Sequence, residues 1–149
     1  MQVSSRLAIY ALIELAEDPK RPISVNEIGE KYAVSAHHLA KVMHTLGRAG
    51  LVRSIRGVGG GYVFSGNARR TTLLDIVLLF ETPFPALNAQ PAGTQETGAE
   101  RALSHVLEEI DDIARATLGA ITLSTLLKQM SRHGNKGTEA DRVLAAADG

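Results

Sequence analysis

The 149-residue chain contains no cysteine and no tryptophan. Without thiols there can be no disulfide, no thiolate metal site and no cysteine nucleophile, a usage that fits the cytoplasm. Aromatic residues make up only 4%, so the core must be aliphatic. No apolar run approaches the roughly 18–20 residues that a bilayer span needs, so no membrane partner is expected. Nor is there a basic stretch, apolar run and small-residue cleavage site at the N-terminus, so no signal peptide is expected. No nucleophile–base pair, carboxylate dyad or cofactor loop can be picked out, which argues against an enzyme. What is present is an ordinary globular balance of 44% hydrophobic and 21% charged residues, in a length that suits one core with an appended arm.

Net charge is also lacking, since 16 basic residues offset 16 acidic ones. The distribution is uneven, however. Residues 1–72 carry ten Lys/Arg against five Asp/Glu, and residues 73–149 carry six against eleven. Between Lys31 and Leu74 lie Lys31, Lys41, Arg48, Arg53, Arg56, Arg69 and Arg70, with no acidic residue among them. A local basic stripe of this kind is the electrostatic footprint of phosphate binding, whatever the total. A merely solvated basic face is the plainer alternative.

Val3 to Ala16 reads as a helix, with Ser4 or Ser5 able to cap its start and apolar residues on nearly all sides, the mark of burial between layers. Asp18-Pro19 stops it. Ser24-Val25-Asn26-Glu27 has the form of a capping box opening a short helix to Tyr32. Ser35 can cap a second helix, whose inner face is Leu39, Val42, Met43 and Leu46, and Ala49-Gly50 supplies a glycine stop. Two short helices joined by a tight turn form a helix-turn-helix. Leu51 to Ile55, the glycine-rich turn Arg56 to Gly61, and Tyr62-Val63-Phe64 then read as a β-hairpin, and a hairpin in that place is a wing. A phosphate-binding nucleotide loop is the rival reading of the glycines, but neither its lysine signature nor an immediately following helix is present.

Thr72-Leu73-Leu74-Asp75 is a further capping box, opening a helix to about Thr82. Residues 83–98 read as a loop, and 99–118 as a long amphipathic helix. Leu103, Val106, Leu107, Ile110, Ile113 and Leu118 form a seam along it for packing on another helix. Ile121 to Met130 adds a short helix, and 131–149 reads as a flexible tail. The expected division is therefore a winged helix-turn-helix domain over 1–82, a loop over 83–98, a dimerisation helix and its successor over 99–130, and the tail. The fold class is mainly α with a small β-hairpin wing.

In helix-turn-helix docking the N-terminal residues of the second helix meet base edges. This nominates Ser35, Ala36, His37, His38 and Lys41, with Ser24 at the start of the preceding helix. Arg56 at the wing is the strongest candidate, with Arg53, Gly59, Gly60 and Tyr62 beside it, while Arg53, Arg69 and Arg70 read as phosphate-backbone contacts or as solvated charge. His37 and His44 lie seven apart on one face, but two imidazoles with no carboxylate or thiol nearby make a poor metal site.

Tyr10-Ala11-Leu12, the run Ile28 to Leu39, Arg48-Ala49-Gly50-Leu51-Val52-Arg53-Ser54, Arg56-Gly57-Val58-Gly59-Gly60-Gly61-Tyr62 and Thr72-Leu73-Leu74-Asp75-Ile76-Val77 together resemble the Rrf-two-type winged-helix regulators, closely over about 3–82 and loosely beyond. The resemblance implies a two-fold homodimer with crossing long helices. It also implies sequence-specific binding to a pseudo-palindromic operator on double-stranded DNA, usually for repression. Many such regulators hold an iron–sulfur cluster on three cysteines, and here the third cysteine position falls on Ala102, with His105 at the accompanying histidine. One imidazole without thiolates does not hold a cluster, so no cofactor is expected. Two explanations stay open: a naturally cysteine-free branch that answers another signal, or replacement of the cysteines. The effector would be an unidentified small molecule or protein. The rival function is a protein-interaction module on the same fold, regulating or regulated by a partner enzyme.

Overall fold

The computed structural model describes residues 1–81 and 97–133. Nearly all of the expected 83–98 loop, and the tail beyond 133, lie outside the described residues. The elements are α1 (Val3–Glu17), α2 (Val25–Tyr32), α3 (Ala36–Arg48), β1 (Val52–Ile55), β2 (Gly61–Phe64), α4 (Leu73–Val77) and α5 (Gly98–Ala120). A last helical stretch covers 123–133, so the tail expected from 131 onward begins as helix.

Helix α1 is the central element, burying Leu7, Ala8, Ile9, Ala11, Leu12, Ile13, Leu15 and Ala16. Around it pack Ile28 from α2, Leu39, Val42, Met43 and Leu46 from α3, Val52 from β1, and Leu73, Ile76 and Val77 from α4. Neither Ser4 nor Ser5 caps α1. Its N-cap is Gln2, which makes no side-chain capping bond. Ser5 is instead buried and donates to Glu81 Oε1 over 2.6 Å, because nearly every side of this helix is packed and a serine in the first turn meets protein rather than its own backbone.

The box at Ser24 forms by half. Ser24 Oγ accepts from the Glu27 N–H, but the Glu27 carboxylate takes the Arg21 guanidinium in place of the return bond. A longer-range bond to a charged donor outcompetes the local one. Stacked rings of Tyr10 and Tyr32, 4.7 Å apart, join α1 to α2. The Tyr32 hydroxyl donates to Glu14, and burial together with that carboxylate pushes the phenol above its usual range, so it stays protonated.

The wing is a two-stranded antiparallel hairpin pairing Val52 with Phe64 and Ile55 with Gly61. The linker before α2 adds an isolated antiparallel bridge, with Ile23 and Tyr62 exchanging backbone bonds of 2.9 and 2.8 Å. Gly61 permits that approach, since a Cβ there would stand 2.5 Å from the Ile23 carbonyl oxygen. Thr72 and Asp75 form the full reciprocal box at α4. Helix α4 is shorter than the expected run to Thr82: beyond Val77 the chain tightens into turns, such as Phe80 N–H to Val77 O, which carry Glu81 back towards α1. After α5 the chain returns to the first domain. Thr122 bridges Thr72, and Leu123 is fully buried in the core.

Candidate nucleic-acid interface

The turn between α2 and α3 is built from two backbone requirements. Ala33 takes a left-handed conformation (φ 53°), and Gly29 lies so close to the next segment that a Cβ would sit 2.7 Å from the Val34 carbonyl oxygen. Ser35 then caps α3 by accepting from the His38 N–H over 3.2 Å. With Leu39, Val42, Met43 and Leu46 anchored in the core, the opposite side of α3 must face outward. At 100° per residue that side holds positions 37, 41, 44 and 48, and His37, Lys41, His44 and Arg48 are all exposed. His44 and Arg48 thus join His37 and Lys41 on one stripe. The signal in the sequence is the 4-3-4 spacing complementary to the inner face, which extends the outward stripe beyond the helix start to His44 and Arg48.

His38 is placed differently. It is half-buried, and its Nε2 shares a 3.2 Å hydrogen bond with Ser4 Oγ at the start of α1. Lys31, counted in the basic stripe, turns away from it to pair with Glu14 at 2.7 Å beside the Tyr32 ring. The cause is tertiary: Glu27, one turn back on α2, is taken by Arg21, and α1 brings the Glu14 carboxylate within reach. No ion pair to Lys41, Arg48, Arg53, Arg56, Arg69 or Arg70 forms among the described residues.

The wing is held to the end of α3 by Leu51 N–H to Leu46 O (3.0 Å) and by Ser65 Oγ donating to Gly50 O (2.9 Å). Arg53 and Arg56 are exposed on it, and Val58 at its apex is 111% exposed. Gly59 stands at the open tip, whereas Gly60 is hydrogen-bonded within the turn to Gly57. Tyr62 is half-buried against the core, with its backbone committed to Ile23. Ser24 is engaged as the α2 cap. Arg69 and Arg70 are exposed in a turn organised by Asn67. The outer stripe of α3 and the wing therefore form a surface of unpaired cations, imidazoles and a free-standing hairpin tip, suited to phosphate and groove contacts.

On α5 the seam divides. Leu103 (56%), Val106 (51%), Ile110 (43%) and Ile113 (61%) are exposed, Leu107 is half-buried, and Leu118 packs against the chain's own core. His105 is exposed on this helix. Among the described residues no three His, Asp or Glu side chains cluster to hold a metal, and no helix is long and apolar enough to cross a membrane.

A helix-turn-helix carried on an aliphatic core, followed at once by a wing and bearing an unpaired basic surface, is the architecture of a winged-helix DNA-binding transcriptional regulator. The chain belongs to the Rrf2 family, described as iron-dependent transcriptional regulators, whose profile matches residues 1–129. It is 44% identical over 136 residues to the HTH-type transcriptional regulator BadM of Rhodopseudomonas palustris, covering 91% of this chain and 86% of that one. It is 29% identical over 126 residues to the regulator IscR of Xenorhabdus nematophila, covering 83% and 76%. Among solved structures it is similar to CymR, the global cysteine regulator of B. subtilis, with a TM-score of 0.71 and 28% identity over 87% of this chain and 96% of that one.

The iron in the family description can be tested against the donors in this chain. Iron–sulfur clusters are held chiefly by thiolates, and the whole sequence has none. The residues present do not fit such a cluster.

Proposed function

We propose that the protein works as a homodimeric repressor in the cytoplasm, binding a pseudo-palindromic operator without an iron–sulfur cluster and answering an unidentified small-molecule or protein effector. The observation that carries the dimer is α5. It is a 23-residue helix with no buried residue, and Leu103, Val106, Ile110 and Ile113 recur along it at helical spacing. Such a stripe is covered by a partner rather than left in water. A second copy is the occupant that gives the DNA surface its use, because two winged helices on a two-fold axis reach half-sites about one helical turn apart.

In that arrangement α3 enters the major groove, with His37, Lys41, His44 and Arg48 facing the duplex. Arg53 and Arg56 bring the wing to the backbone or an adjacent minor groove. Repression follows physically if the operator overlaps a promoter, since a bound dimer excludes polymerase. Selection of duplexes from a random pool tests the reading. Recovery of an inverted repeat bound with a steep salt dependence supports it, and recovery of half-sites alone, bound by a monomer, refutes the dimer.

A further inference from the structure

Helix α1 begins without a side-chain cap of its own. The missing partner comes from a residue far along the chain: Glu81 Oε1 accepts the Gln2 N–H over 2.9 Å and the buried Ser5 hydroxyl over 2.6 Å. A carboxylate is thereby placed at the positive end of a 15-residue helix. Between these two anchored residues lies Ser4, whose Oγ meets His38 Nε2 at 3.2 Å in the first turn of α3. Consecutive residues of α1 thus grip Glu81 on one side and the reading helix on the other. The Ser4 contact also decides which ring nitrogen of His38 remains free, because one nitrogen is committed to the serine.

We propose that Glu81 is a positioning residue for DNA reading. By capping α1 from a distance it holds Ser4 against His38, and so sets both the orientation of that imidazole and the placement of the first turn of α3. The proposal rests on α3 being the reading helix. It assigns a role in recognition to a residue at the exit of α4 that carries no basic charge and lies outside the helix-turn-helix and wing. Loosening the Glu81 cap lowers operator affinity without touching any DNA-facing side chain.

The test is a cycle of full-length variants measured on a labelled duplex recovered by selection, at one salt concentration. Glu81→Ala is expected to keep the fold by circular dichroism, to shift the ring-nitrogen NMR signals of His38, and to weaken binding about 3- to 10-fold. The same substitution in a His38→Ala background should change affinity by less than about twofold. Glu81→Gln, which keeps an accepting oxygen, should retain most of the binding. If Glu81→Ala does not fold, Ser5→Ala, which removes only one of the two bonds, takes its place in the cycle. An unmoved His38 ring, or an equal loss in both backgrounds, overturns the proposal. If His38→Ala binds like the parent while Arg56→Ala does not, the proposal fails and the DNA-binding reading stands. If the parent chain selects no duplex, both fall.

Discussion

Replacing Ile110 by aspartate places a charge at the middle of the exposed α5 stripe. In the single chain roughly half of each of Leu103, Val106, Ile110 and Ile113 remains in water. Covering the rest contributes about 0.7–1.5 kcal/mol per side chain, or about 6–12 kcal/mol across two copies. Association costs at least about 4 kcal/mol in lost translational and rotational freedom, so the stripe supports a dimer of moderate strength and no more. Ile110→Asp removes one such contribution from each copy and desolvates two carboxylates, a loss of several kcal/mol. That is enough to raise the dimer dissociation constant by about 100-fold or more. Because Ile110 is 43% exposed and outside the main core, the folded chain should survive as a monomer with an unchanged helical circular dichroism spectrum. Sedimentation across a concentration series measures the first effect, and titration of an inverted-repeat duplex the second. A folded dimer with unchanged sedimentation and unchanged affinity would refute the reasoning and move the interface off α5.

Arg56→Ala should weaken operator binding by about 1–3 kcal/mol with the melt unchanged, read by fluorescence anisotropy at fixed salt; equal affinity would remove the wing from the interface. Ala33→Gly relieves a non-glycine residue at φ 53° and should raise stability by up to about 1 kcal/mol in denaturant titration, the relief of strain exceeding the entropy that glycine adds to the unfolded chain; a clear loss would mean the turn is not strained. Burial opposes ionisation of Glu81, but the Ser5 hydroxyl, the Gln2 N–H and the nearby N-terminal charge outweigh it and hold its carboxyl below the ordinary glutamate range. Its folded pKa is thus depressed, so its contribution is present above the unfolded value and disappears as pH falls through the folded one. The stability difference between the parent and Glu81→Gln should therefore be present at neutral pH and shrink as pH falls through and below the ordinary glutamate range, checked by denaturant midpoints; a difference that grows in acid would reverse the assignment. Anaerobic treatment with iron and sulfide should yield no stable coloured species and no gain in DNA affinity, and stoichiometric iron and sulfide on the protein would prove otherwise.

The helix-turn-helix and wing were legible in the sequence because their signals are local. Ser35 caps the helix that follows it, the 39/42/43/46 spacing is one face of a helix, and Thr72 and Asp75 close their box within four residues. Each depends on neighbours that the chain itself keeps adjacent. The absence of cysteine is just as legible, and it excludes thiolate ligation by this chain wherever its residues come to lie. Only the tertiary structure could show that Ser5 serves Glu81 rather than the start of its own helix, that Lys31 leaves the basic stripe for Glu14, that Ile23 bridges to Tyr62 of the wing, and that Leu123 plugs the core of the first domain. These pairings join residues far apart along the chain, and a buried hydroxyl or a lone cation takes whichever partner packing brings within reach. Local propensity sets which elements form; the meeting of their surfaces decides which polar groups are consumed inside and which are left facing outward.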